Sequence, residues 1–293
     1  IEELQKLNYQ DLKKAMKKSP RFYKTIKSNK APIILDKSLG MKADPYKNID
    51  LSLINKRGAR LTTHEDKFDG FNNIGLKAEF TTEEAIDRAS VVIDCTPTGF
   101  GHENKNKYYE KYLKNTIGFV AQGSENGFGK KYARGINDNA LQVGVDKFIQ
   151  VVSCNTHNLA TIVNTLALDE GVDNLIEGKF VLIRRSNDLS QSTNFVPSPQ
   201  VGSHSSEQFG THHAKDAYSL FDTMDIKLNL YSSAMKINSQ YMHILHFNLK
   251  LKNNTSIQKL LNKLEANDRI ALTDKVNANE VFSFGRDHGH FGR

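Results

Sequence analysis

Phe148-Ile-Gln-Val-Val-Ser-Cys-Asn-Thr-His-Asn-Leu-Ala-Thr-Ile-Val-Asn-Thr-Leu166 is the stretch that decides how this chain folds. Its first six residues form a short apolar run of the kind that becomes a buried strand. Leu159, Ile162, Val163 and Leu166 then recur at i, i+3, i+4 and i+7, so a helix begins within a residue or two of Cys154. Strand, short polar junction and helix in that order are the units of an α/β fold. Outward toward the N-terminus, residues 31–36, 90–94 and 116–121 read as further short buried strands. Thr81-Thr-Glu-Glu84 between them has the spacing of a capping box at a helix start. Short apolar strands separated by helices predict a parallel sheet with both faces covered.

Beyond Ser153 the pattern changes. Residues 179–185, 236–250 and 269–274 alternate polar and apolar, as strands of a sheet with one covered face do, and a helix is expected over 256–266. The polar tract 186–208, with Pro197 and Pro199, reads as a long loop of the kind that more often carries function than not. The fold class expected is therefore α/β: a parallel-sheet domain over 1–153, then an α+β domain with a mixed or antiparallel sheet over 154–293.

Composition narrows the function. The 293 residues are 38% hydrophobic and 25% charged, which excludes disordered and collagen-like classes. Two cysteines, Cys95 and Cys154, cannot form a disulfide framework and suit a reducing compartment. No run approaches the roughly 18 apolar residues of a membrane span, and no secretory signal is visible. Residues 1–30 carry nine basic against three acidic side chains, a net +6 of the chain's +7. Residues 2–18 read as a helix, with Leu4, Leu7, Leu12, Ala15 and Met16 roughly on one side. The charge is then its solvated face, with a nucleic-acid or acidic partner as the other reading.

The chemistry concentrates at Cys154. A cysteine at a helix N-terminus lies at the positive end of the helix dipole, which favours the thiolate. Buried strand cysteines are usually inert, but Ser153-Cys-Asn-Thr-His157 is polar where a core strand would simply end.

Val151-Val-Ser-Cys-Asn-Thr156 followed by an apolar helix resembles the active-site signature of the archaeal-type (class II) glyceraldehyde-3-phosphate dehydrogenases. Val91-Val-Ile-Asp-Cys-Thr-Pro-Thr-Gly-Phe-Gly101 is similar to that family's strand and cofactor loop, and Ala121-Gln-Gly-Ser-Glu125 to its Gln-Gly-Gly-Glu segment. Val181-Leu-Ile-Arg-Arg-Ser186, His212-His-Ala-Lys-Asp216 and Tyr241-Met-His243 resemble its paired arginines, its His-His motif and its Met-His strand. Order and approximate spacing hold from about residue 31 to residue 290.

The resemblance implies a Rossmann-like nucleotide-binding domain followed by a catalytic domain. The implied reaction is NAD(P)-dependent phosphorylating oxidation of glyceraldehyde 3-phosphate, as in glycolysis and gluconeogenesis, in a cytoplasmic homotetramer. Cys154 would be the nucleophile, and His243 the general base or the holder of the developing oxyanion. Thr156, Arg184, Arg185, His212 and His213 would bind the substrate and the attacking phosphate; paired arginines suit such anions. The cofactor would meet Lys37, Ser38, Thr96, Pro97, Gly99, Gln122, Gly123 and Asn155. Asp36 points to NAD, whereas Lys37 and Ser38 resemble a pair that contacts the 2′-phosphate of NADP; the balance leans to NADP. No metal is expected, since the His-His pair lacks a spaced carboxylate or cysteine partner, and His246 reads as structural.

The chain departs from the family in several places. No Gly-x-Gly-x-x-Gly precedes residue 31, where the basic helix stands instead; the two expectations are that the turn lies upstream of Ile1 in a longer protein or that it is missing and cofactor binding is weakened. The sequence ends at Arg293, where the family continues. His157 and Asn158 replace Thr and Gly, and a short insertion lies near Ser203–Phe209. Two other readings follow from these differences and from the shared mechanism: a catalytically inactive homologue serving as a structural or interaction subunit, and a sister acyl-phosphate reductase.

Overall fold

The computed structural model describes residues 33–35, 58–187 and 195–287, and the backbone alone over 33–35. The basic segment 1–30, Lys37 and Ser38 lie outside the described residues. The chain divides into two compact units. One takes in the residues up to Val92 together with Glu103–Ile117; the other comprises Ile93–His102 and Gly118–Arg293.

In the first unit, Ile33–Leu35 (β1), Arg60–Thr63 (β2) and Ala78–Thr81 (β3) form a three-stranded parallel sheet in the order β1-β2-β3. Leu61 and Ala78 pack with Phe71, from the helix Phe68–Asn73 (α1), and with Leu76 in a small apolar core. The helix Thr82–Arg88 (α2) begins with the expected capping box. The Glu84 amide donates to Thr81 Oγ1 at 3.2 Å, and the Thr81 amide donates back to the Glu84 carboxylate at 2.8 Å. Two amides that the first helical turn leaves without partners are thereby satisfied.

Val91–Asp94 (β4), Gly118–Ala121 (β5), Lys130–Tyr132 (β6) and Phe148–Val151 (β7) form a second sheet in the order β4-β5-β7-β6. The strands β5 and β6 both run parallel to β7. Phe119 stacks on Phe148 at 5.3 Å between ring centroids, and Phe128 meets Phe148 edge-on at 5.5 Å. The helix Phe100–Lys107 (α3) follows β4, and Cys154–Leu166 (α4) follows β7, so the expected strand-to-helix junction at Cys154 is present.

The third sheet is mixed. Leu175–Arg184 (β8) pairs in parallel with Leu230–Lys236 (β10) and antiparallel with Ile244–Leu251 (β11). The two-residue strand Gln200–Val201 (β9) runs antiparallel to β10. One face of this sheet, through Phe180, Leu182, Leu230 and Ala234, packs on Leu159, Ala160 and Val163 of α4. It also packs on Ala214, Ala217, Leu220 and Phe221 of the helix His212–Asp222 (α5).

Three local expectations change. The alternating run 236–250 is not one strand: Lys236 ends β10, and β11 begins only at Ile244. With β10 on one side of β8 and β11 on the other, the chain between Lys236 and Ile244 must cross over the end of β8. Residues 269–274 form no strand, because Arg269 is drawn back locally: its amide donates to Asn267 Oδ1 at 3.0 Å and its guanidinium reaches the Arg134 carbonyl. Finally, the expected helix at Ile257–Glu265 (α6) is followed by one the pattern did not predict, Ala278–Asp287 (α7). Its one cue was Asn277, whose side chain accepts the Glu280 amide at 3.0 Å.

Candidate active site

Cys154 is the first residue of α4. Ser153 is extended before it (φ −61°, ψ 158°), and its hydroxyl accepts the Thr156 amide at 3.3 Å, the arrangement of an N-cap. That leaves Cys154 exposed at the positive end of the helix. Thr156 is fully buried, and its hydroxyl lies 3.0 Å from the Ser153 hydroxyl, so it builds the turn beneath Cys154 and does not line the cavity around it.

That cavity holds about 490 Å³ and is lined by Gly123, Ser153, Cys154, Asn155, Arg184, Arg185, His212, His213, Lys236 and His243, among others. Each reaches it by a separate structural route. Arg184 ends β8 and Arg185 follows it. The crossing segment 237–243 is laced to that strand end. The Ile237 amide donates to the Arg184 carbonyl at 2.9 Å, the Ser186 amide to the Ser239 carbonyl at 2.7 Å, and the Gln240 side chain to Asn187 Oδ1 at 2.7 Å. The last rung is the Arg185 amide donating to His243 Nδ1 at 3.0 Å. Because Nδ1 accepts, the neutral His243 ring carries its proton on Nε2.

His212 and His213 open α5, with their ring centroids 3.9 Å apart. The start of this helix is tied to β10: Ser232 Oγ accepts the Ala214 amide at 3.0 Å and lies 2.6 Å from the Thr211 hydroxyl. His213 is only 2% exposed, and neither ring nitrogen has a hydrogen-bond partner. Burial pushes its pKa down to about 3, with His212, Arg184 and His243 adding to the effect. Burial also lowers the pKa of His212, against the pull of Asp216. Arg184 Nε and Asn155 Oδ1 are likewise buried without partners. Four unsatisfied polar atoms on residues that line the cavity leave standing desolvation costs that a ligand would relieve.

The residues expected around a cofactor fall into two groups. Gly123 and Asn155 line the cavity. Thr96, Pro97, Gly99 and Gln122 form a neighbouring loop cluster. The Thr96 amide donates to Asp94 at 2.9 Å, Gln122 Nε2 donates to the Thr96 carbonyl at 2.9 Å, and the Phe100 amide donates to the Pro97 carbonyl at 3.1 Å. Gly99 has φ +91°, a backbone state that favours glycine, and its amide donates to Glu125 Oε1 at 2.6 Å. The buried Glu125 carboxylate also accepts the His102 amide at 3.2 Å, so the start of α3 is held by the chain's own acid.

No model of a known protein family matches the chain. It is 26% identical over 252 residues to glyceraldehyde-3-phosphate dehydrogenase 1 of Methanosarcina barkeri, covering 82% of this chain and 68% of that protein. It is 29% identical over 218 residues to the glyceraldehyde-3-phosphate dehydrogenase of Methanobacterium formicicum, covering 71% and 58%. With that of Sulfolobus acidocaldarius it shares 28% over 247 residues, covering 80% and 66%. The chain is a divergent relative of the archaeal glyceraldehyde-3-phosphate dehydrogenases.

Lys236 and Asp216 are among the cavity residues that carried no sequence assignment as members of a site. Lys236 is an ordinary polar position in an alternating strand. Asp216 stood only at the end of the His-His motif, although four residues after His212 on a helix is the same face.

Proposed function

We propose that this chain carries the catalytic site of an NAD(P)-dependent, phosphorylating glyceraldehyde-3-phosphate dehydrogenase. The observation that carries the reading is an exposed cysteine at a helix N-terminus, on the wall of a cavity whose other walls hold two arginines and three histidines. The Cys154 thiolate attacks the aldehyde carbon, forming a carbon–sulfur bond and an alkoxide. His243 supports that alkoxide by donating from Nε2, the role its Nδ1 contact favours over that of a base. A nicotinamide dinucleotide, when bound, supplies the hydride acceptor. The buried, unpartnered Asn155 Oδ1 on the cavity wall fits a carboxamide N–H of such a group. Thr96, Pro97, Gly99 and Gln122 would shape the neighbouring surface, and Lys37 and Ser38 would bear on the choice of NADP over NAD.

Arg184, Arg185, His212 and His213 hold the anionic groups. Once the alkoxide carbon gives up its hydride to that acceptor it is a thioester of Cys154; inorganic phosphate then attacks this carbon, and the Cys154 thiolate leaves as the acyl phosphate forms. Thr156 serves this site by shaping the turn under Cys154. Among the described residues no helix is long and apolar enough to cross a membrane. The resemblance of the chain is what supports reading it as a cytoplasmic homotetramer. Val181, Tyr231, Met235 and Ile244, exposed on β8, β10 and β11, supply apolar surface for such contacts.

The test is nicotinamide reduction by the purified protein with glyceraldehyde 3-phosphate and each cofactor, with phosphate present or left out. Sustained turnover only with phosphate supports the reading. Folded protein with neither turnover nor cofactor binding would make it an inactive homologue, and turnover on the acyl phosphate of an amino acid would make it the sister reductase.

A further inference from the structure

We infer that Lys236 is part of the anion site and, with Arg184 and His213, forms a pocket for one phosphate dianion; this rests on the reading of the cavity given above. In the parallel pairing of β10 with β8, Lys236 lies directly beside Arg184. Both line the cavity. Like charges side by side on neighbouring strands destabilise a sheet unless something neutralises them. The carboxylate on this wall, Asp216, is committed to an ion pair with Lys131. No carboxylate of the described residues pairs with Lys236. His213, a buried residue of the same cavity lining with both ring nitrogens unpartnered, adds a donor without adding a third charge, since burial keeps it neutral. Two cations and a neutral N–H donor match a phosphate group with two negative charges and several acceptor oxygens. Lys supplies a point charge and Arg a planar fork, so the two divide the oxygens without competing for the same geometry. The dianion could be the substrate's own phosphate or the attacking one.

The test is protection of Cys154 from alkylation, which needs no turnover. Wild type, Lys236→Met and Lys236→Arg, each verified as folded by circular dichroism, are alkylated with increasing inorganic phosphate. In a parallel series the unreactive ester glycerol 3-phosphate is used. Lys236→Met is expected to raise the half-protecting concentration at least about tenfold, and Lys236→Arg to recover most of it. A shift with inorganic phosphate alone assigns the pocket to the attacking group; a shift with the ester alone assigns it to the substrate. Protection of wild type and Lys236→Met at equal concentrations of both probes overturns the role of Lys236 and leaves the cavity's anion-binding role standing. Absence of protection in wild type removes the anion site itself, and the inference with it.

Discussion

Replacing Gly123 with alanine would place a methyl carbon 2.4 Å from the Ser153 nitrogen, 2.7 Å from its Cα and 2.9 Å from the Val152 carbonyl carbon. All three are backbone atoms, so no flexible side-chain tip can swing aside. Ordinary contact begins near 3.4 Å, so the loop after β5 or the turn into α4 must yield by about 1 Å. Overpacking of this kind costs about 1–3 kcal/mol. At roughly 2–4 °C per kcal/mol for a domain of this size, the melting temperature falls by several degrees. The residue displaced is the N-cap of α4, and Cys154 is next in the chain. A nucleophile moved by about 1 Å loses on the order of 10²-fold in rate. The assay pairs thermal unfolding with the alkylation rate of Cys154 and with turnover. The account expects a lower melting temperature, an altered alkylation rate and a large loss of kcat. Wild-type melting with wild-type turnover would refute the reasoning, because it would show that the close approach of Gly123 to Ser153 does not position the cysteine.

Cys154→Ser is expected to abolish acyl transfer, and His243→Asn to lower kcat by about 10²-fold while glyceraldehyde 3-phosphate still binds; steady-state kinetics and a binding titration check both. His213 predicts a stability slope. Its pKa is about 3 in the folded chain against an ordinary 6.5, so between those values the unfolded chain holds the extra proton. Stability is then full above pH 6.5 and falls as the pH drops toward 3, by up to roughly 5 kcal/mol. Denaturant unfolding at a series of pH values reads this, and His213→Asn should remove that part of the slope. Thr81→Ala, which breaks the capping box of α2, should cost about 1 kcal/mol in the same unfolding assay with no effect on Cys154 alkylation.

Local chemistry was legible in the sequence wherever it was decided locally. The Thr81–Glu84 box and the start of α4 at Cys154 depend on spacing within one turn, and both are present. What sequence could not show is set by strand register. The alternation from Lys236 onward continues smoothly through a segment that must leave one side of β8 and return on the other, and only that crossing brings the His243 ring to the Arg185 amide. Lys236 gains its meaning from lying beside Arg184, a neighbour 52 positions earlier in the chain. Glu125 read as part of a cofactor segment, and the structure shows its carboxylate buried against the Gly99 and His102 amides. Arg269–Asp274 misled because an alternating pattern is equally open to a chain held by side-chain contacts, as Arg269 is.

The central claim is that Cys154 carries the acyl group. The protein is mixed with glyceraldehyde 3-phosphate and oxidised nicotinamide in the absence of phosphate, quenched in acid, digested and weighed peptide by peptide. The account predicts that the peptide containing Cys154 gains the mass of the phosphoglyceroyl group and loses it when phosphate is added before the quench. An unmodified Cys154 peptide in protein that is turning over substrate, or an acyl group on another residue, would contradict it.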